Sequence, residues 1–217
     1  MRGICASYQL LPDKDEELPV GCGELAGEGQ PGWEGAPAAA PALEEPCRLA
    51  LSTPSSILQD REIQVLGSHL PPRLTQQRWH LLCCTRWDGF SLRTLYRFRG
   101  QLGSPTLLLI RDTEAQPAFG AFSVTTIRCS NGFYRTGETF VFFSPDLKVF
   151  RWMGRNNFFV KGDIDLLMIG GGSSKFGLWL DRDLHYRGSH PCETFDNETL
   201  SPGEEFCIQD LEVWGLA

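Results

Sequence analysis

Several groups of residues have types and spacings that could do chemistry. The sharpest is the block Leu166-Leu167-Met168-Ile169-Gly170-Gly171-Gly172-Ser173-Ser174-Lys175-Phe176-Gly177-Leu178-Trp179-Leu180-Asp181. Two apolar runs flank a triple glycine followed by Ser-Ser-Lys. Three readings are open: a phosphate cradle, a tight turn between strands, or a loop that offers its backbone to a partner. A P-loop needs G-x-x-x-x-G-K-[ST] after a strand and before a helix. Here Lys175 follows Ser174, and Phe176–Leu180 reads as a strand, so no helix N-terminus is offered to an anion. A glycine-rich connection between strands fits better, because glycine permits positive φ and close backbone approach.

The remaining candidates are weaker. Asp181, Asp183, His185, His190 and Cys192 lie near one another in sequence, but the His and Cys spacing matches no common zinc site. Ser189 and His190 are adjacent and would point to opposite faces of an extended segment. No Gly-x-Ser-x-Gly elbow is present, and His80 and Ser91 are remote. Cys83-Cys84 lies in an apolar strand, where one thiol faces inward as a small hydrophobe, and Arg86 lies close enough to activate an exposed one. Glu138, beside the apolar run Phe140–Phe143, is either a buried acid or a strand-end acceptor of backbone N–H groups. No cofactor, metal or catalytic constellation is expected.

Composition divides the chain. Residues 1–56 carry three basic side chains (Arg2, Lys14 and Arg48) against nine carboxylates, so nearly all of the net charge of −7 sits there. This quarter holds seven of the 14 prolines but only Tyr8 and Trp33 among the aromatics. Such a segment buries too little apolar area to offset ordering entropy, and is expected to be a disordered acidic arm. The rest is nearly neutral and rich in aromatics, which argues against nucleic acid as a partner. No run approaches the ~18 apolar residues of a membrane helix. The start lacks a secretory apolar core, and Arg2 excludes N-myristoylation. Eight cysteines without Cys-x-x-Cys spacing read as cytosolic thiols. A cytoplasmic monomer is expected. Residence in the nucleus is left open, because no Lys/Arg-rich signal decides it.

The elements that must position these residues follow from hydrophobic period. Asp60–Leu70 reads as a helix capped by Asp60 and stopped by Pro71-Pro72. Trp79–Thr85 is a strand, and Asp88 caps a second helix running through Phe98. Short apolar runs then follow at Thr106–Ile110, Ala118–Val124, Glu138–Phe143, Leu147–Trp152, Phe158–Val160, Leu166–Ile169, Phe176–Leu180 and Phe206–Trp214. Several are apolar on consecutive residues, so both faces are covered. The expectation is an α+β, mainly β fold: two packed antiparallel sheets, a β-sandwich, flanked by two or more short helices.

Residues 57–217 resemble the TLDc-domain family. The resemblance is carried by Phe119-Gly120-Ala121-Phe122, by Phe133-Tyr134-x-Thr136-Gly137-Glu138-Thr139-Phe140 and by Trp152-x-Gly154-x-Asn156-x-Phe158-Phe159. It continues through Gly170–Gly172, Phe176–Asp181, Cys192-x-Thr194-Phe195-x-Asn197 and Leu211-Glu212-Val213-Trp214. It implies a two-sheet sandwich with flanking helices and a role in resistance to oxidative stress. It also implies binding to the vacuolar-type proton ATPase, some members promoting release of its soluble sector from the membrane sector. No settled catalytic chemistry comes with the family. The expected function is therefore a non-catalytic module that binds the soluble sector, with direct thiol-based protection as the alternative. Partner contact is expected at Gly137, Glu138, Gly170, Gly171, Gly172 and Asp181, where small-residue loops sit on a rigid scaffold. The family more often carries another glycine near Ser174, so a positive-φ requirement there falls on a serine.

Overall fold

The computed structural model describes residues 49–97, 103–114, 118–134 and 137–216. The expected arm over residues 1–48, the end of the second helix at Phe98, and Thr136 lie outside the described residues.

The architecture is mainly β, with two sheets and four short helices among the described residues. The larger sheet contains β1 (Ala50–Leu51), β2 (Arg78–Cys84), β3 (Thr106–Asp112), β4 (Ala118–Ser123), β5 (Phe140–Phe143), β6 (Lys148–Arg151) and β11 (Ile208–Leu216). Its order is β1-β2-β11-β3-β4-β5-β6, so the last strand of the chain is inserted between β2 and β3. The smaller sheet contains β7 (Val160–Gly162), β8 (Leu166–Ile169), β9 (Leu178–Asp181) and β10 (Arg187–Gly188), in the order β10-β9-β8-β7. All pairings between these strands are antiparallel except β1 with β2, where Ala50 lies opposite Arg78.

Side-chain alternation explains the consecutive apolar residues. In β3, Leu108 and Ile110 enter one core while Leu107 and Leu109 enter a second. In β5, Val141 joins the first core, and Phe140 and Phe142 join the second. The first core lies between the sheets, where Leu167, Ile169, Leu178 and Leu180 meet Val141 and Val213. The second lies on the other face of the large sheet, where Trp79, Phe122 and Trp214 meet Ile63, Leu66, Leu70 and Leu74. The last four come from α1 (Asp60–His69), α2 (Pro72–Thr75) and the link between them. Each large side chain removed from water contributes roughly 1.5–3 kcal/mol. A strand buried on both faces therefore stabilises two layers at once.

Two sequence expectations need correction, and a third is extended. The residue before α1 is Gln59, whose N–H donates to the Glu62 carboxylate at 2.8 Å, while Asp60 is already helical. Pro71-Pro72 stops α1 at His69 as expected, and Pro72 also opens α2, where its missing N–H is no loss. Asp88 ends α3 (Thr85–Asp88) and accepts the Cys84 N–H at 2.9 Å, whereas α4 (Leu92–Arg97) starts beyond it. A further difference concerns residues 49–56, expected in the arm. Leu49 is buried, Ala50–Leu51 form β1, and Ser55 and Ser56 bond the buried Glu212.

Candidate functional site

The glycine block is a turn. Strand β8 ends at Ile169, and the Gly172 carbonyl accepts the Lys175 N–H at 2.9 Å. Ser173 and Ser174 between them have φ of 50° and 61°. Two positive-φ residues inside a four-residue reversal match the mirror-image turn that suits strand twist. The positive-φ position expected near Ser174 is thus occupied by serine, and Ser173 shares the conformation. Gly170 has φ of 71°, and a Cβ there would lie 2.6 Å from the Phe195 ring and 2.8 Å from Cys192 Sγ.

Behind this turn lies a knot of hydrogen bonds. The Gly171 N–H donates to Thr194 Oγ1 at 2.9 Å, and the Gly171 carbonyl accepts from Asn156 Nδ2 at 3.0 Å. Thr194 Oγ1 donates to Asn156 Oδ1 at 2.7 Å. Asn156 Oδ1 also accepts the Phe158 N–H at 3.1 Å, and the Asn156 carbonyl accepts Trp152 Nε1–H at 2.7 Å. The Met153 N–H donates to the Thr194 carbonyl at 3.0 Å. A buried backbone group without a partner is costly, so this satisfaction fixes the loop that connects β6 to β7.

That loop presents an aromatic face. Trp152, Met153 and Phe158 are 39%, 51% and 45% exposed. Phe158 stacks near Phe133, with ring centroids 5.0 Å apart, and Trp152 packs edge-on to the buried Phe159 at 5.5 Å. The glycines form the floor. A Cβ on Gly137 would meet the Trp152 ring at 2.9 Å, and one on Gly171 would meet Phe158 Cβ at 3.1 Å.

Gly137, Gly170, Gly171 and Gly172 are therefore brought to one end of the small sheet, together with the aromatic face. Gly170 and Gly171 are buried, and the exposed part of the turn is Ser173–Lys175. Glu138 forms a forked pair with Arg73 of α2. The Arg73 guanidinium holds the Glu138 carboxyl below its usual range. Asp181 is not part of this grouping. It lies opposite Leu166 at the far end of the β8–β9 ladder, while Gly170 follows the near end, where Ile169 faces Leu178.

Sequence reasoning missed the aromatic face. The available signal was the pair Phe158-Phe159: strand alternation sends one of two adjacent aromatics inward, and the other is left outside.

The other chemistry-bearing residues have structural surroundings. Among the described residues no group of three His, Cys, Asp or Glu side chains is placed to hold a metal. Ser189 is fully buried and its hydroxyl donates to the Gly177 carbonyl at 2.6 Å. Cys83 and Cys84 are both buried, not one in and one out. Burial pushes the Cys83 thiol up to about 12, and burial also raises Cys192. Cys129 and Cys207 are exposed. Among the described residues no helix is long and apolar enough to cross a membrane.

Fold and site together define a β-sandwich that holds a rigid aromatic face over a glycine turn. The profile of the TLDc domain matches residues 51–217, and the chain belongs to the TLDc-domain family. It is 50% identical over 173 residues to oxidation resistance protein 1 of Bos taurus, covering 79% of this chain and 20% of that protein. The Homo sapiens protein of the same name is 49% identical over 173 residues, again covering 79% and 20%. Nuclear receptor coactivator 7 of Homo sapiens is 47% identical over 163 residues, 75% of this chain and 17% of that protein. The match spans about a fifth of the length of these relatives.

Proposed function

We propose that this chain is a non-catalytic protein-binding module for the soluble sector of the vacuolar-type proton ATPase. It promotes release of that sector from the membrane sector, and serves the oxidative stress response from the cytoplasm. The observation that carries the binding part is the exposed Trp152–Met153–Phe158 face, fixed from behind by Asn156 and Thr194. Exposed aromatic and methionine side chains on a rigid support have the composition of an interface centre. Of the glycines expected to touch a partner, Gly137 and Gly171 seat these rings, while Gly170 packs on Phe195 and Gly172 on Glu193 beside them. Glu138 serves through its pair with Arg73, and Asp181 lies outside the face. The partner and the oxidative-stress role rest on TLDc membership and on relatives named for oxidation resistance.

The test is capture of the purified soluble sector by the full chain and by its Phe158→Asp and Met153→Asp variants, followed by assay of sector release from membranes. Capture by the parent chain and at least ten-fold weaker capture by folded variants supports this face. Capture without release leaves binding and removes the disassembly step. A second reading, direct thiol chemistry, is favoured by the exposure of Cys129 and Cys207. Undiminished protection from peroxide by a Cys129→Ser/Cys207→Ser chain would sink it.

A further inference from the structure

The end of the small sheet away from the glycine turn carries a different surface. Helix α4 places Arg93, Tyr96 and Arg97 on one side through its i, i+3, i+4 spacing. With Cys129, Ile164 and Arg182 they line a cleft of about 550 Å³. The Leu92 N–H donates to the Arg182 carbonyl at 2.9 Å, which fixes the start of the helix against the turn after β9.

Two observations separate this cleft from ordinary surface. First, Ile164 is 67% exposed on a turn whose backbone is hydrogen-bonded. Its N–H donates to Asp163 Oδ1 at 2.6 Å, and the Asp163 N–H donates to the Leu166 carbonyl at 2.7 Å. The turn between β7 and β8 thus holds an aliphatic side chain out in water. Second, the cleft's guanidinium groups are underused. Among the described residues Arg93 and Arg97 have no ion-pair partner, and Arg182 reaches Asp165 only at 3.6 Å with both side chains more than half exposed. A pair of that kind contributes little. Among the described residues no carboxylate lines the cleft, and Asp165 reaches it only through its long contact with Arg182. A second depression shares Cys129 and Ile164 and continues past Lys161 and one carboxylate, Asp163, so the surface is elongated and keeps a basic excess from Arg93, Arg97, Arg182 and Lys161.

Arginine is suited to forked recognition of carboxylates, and the exposed Ile164, with the edge of the buried Tyr96 lining the same cleft, offers an apolar contact. We propose that this cleft docks a short acidic peptide segment of a partner protein. The segment brings carboxylates to Arg93, Arg97 and Arg182 and one aliphatic or aromatic side chain to Ile164 and Tyr96. The inference is independent of the proton-ATPase reading, which concerns the opposite end of the sheet.

The probe is a fluorescein-labelled peptide of alternating Glu and Leu, titrated into the full chain and followed by anisotropy. Saturable binding is expected, weakened roughly ten-fold by Arg93→Glu, Arg182→Glu or Ile164→Ser. Bound probe should also slow maleimide labelling of Cys129 while leaving Cys207 unchanged. Circular dichroism checks that these surface variants stay folded. The proposal is overturned if the probe does not bind, if the variants bind as the parent does, or if peptides with Gln for Glu or Ser for Leu bind equally well. It is also overturned if phosphatidylserine vesicles protect Cys129 where the peptide does not, since the surface would then read lipid headgroups.

Discussion

Glu212 is a buried carboxylate whose surroundings can be written out donor by donor. Oε1 accepts the Ser56 N–H at 2.8 Å and the Ser56 hydroxyl at 2.7 Å. Oε2 accepts the Ser55 hydroxyl at 2.7 Å and Trp214 Nε1–H at 3.0 Å. Hydroxyls can turn round, but a backbone N–H and an indole N–H cannot. Each oxygen therefore faces one donor that must donate. In a Glu212→Gln chain the amide NH2 meets one such donor in either orientation, and a buried or half-buried N–H is left unsatisfied. The expected cost is about 1–3 kcal/mol, read as a lower urea midpoint at unchanged m-value. An unaltered midpoint would mean that water replaces the lost acceptor. The thiols give a second prediction at this scale. In native chain at pH 8, iodoacetamide should modify Cys129 and Cys207 while Cys83 and Cys192 react only on unfolding, because burial holds both thiols protonated. Peptide mass mapping reads the outcome, and rapid native labelling of Cys83 would contradict it.

Elements were legible by their apolar pattern, down to four-residue strands such as β8 and β9. The ten-residue α1 and the seven-residue β2 and β3 were visible as periods and apolar runs. The two-residue β1 and β10 were not, because two residues carry no period. The four-residue α2 and α3 are hidden because each is little more than one helical turn, and Asp88 reads as the cap of α4 although it ends α3. At the candidate site, the turn itself could be read from Gly170–Gly172, but not what it packs against. The Asn156–Thr194 bond joins residues 38 apart, and no local pattern encodes that distance. The turn offers its own test. Ser174 sits at φ 61°, where a non-glycine residue costs roughly 1–2 kcal/mol in left-handed backbone. Ser174→Gly relieves that cost but adds freedom to the unfolded chain, so a net gain of up to about 1 kcal/mol is expected. Gly170→Ala should act in the opposite direction and more strongly, since its Cβ adds a collision with the Phe195 ring to the strained φ. Thermal melts of the two variants should therefore shift to opposite sides of the parent.

Across the whole molecule, the first described strand and the last are one unit. Strand β11 pairs with both β2 and β3, β1 pairs with β2, and Glu212 of β11 binds Ser55 and Ser56. Acid should loosen this region through Asp210. Its side chain is 7% exposed, and Arg86 bonds both its oxygens at 2.8 Å and lowers its pKa. A lowered folded-state value means that the stabilisation is present above the unfolded carboxylate range, near 4, and is lost as pH falls through the folded value. The stability advantage of the parent over Asp210→Asn should accordingly shrink below about pH 4 in urea titrations. The same unit sets where the chain can be cut. Removing residues 1–48 spares Leu49, β1 and both serines. Removing residues 1–56 strips the buried Leu49 and the partly buried Leu51, and leaves the Glu212 carboxylate with Trp214 Nε1–H alone among its four donors. Lost burial and lost hydrogen bonds together amount to about 4 kcal/mol, a large share of the roughly 5–15 kcal/mol that holds a typical domain. The longer deletion should thus unfold at markedly lower urea than the shorter one. Equal midpoints would show that β1 and the two serines contribute nothing. If the difference appears, a chain beginning at Ile57 that fails to capture the proton-ATPase soluble sector has lost its fold rather than its binding face, and only the variants at Met153 and Phe158 can tell those two losses apart.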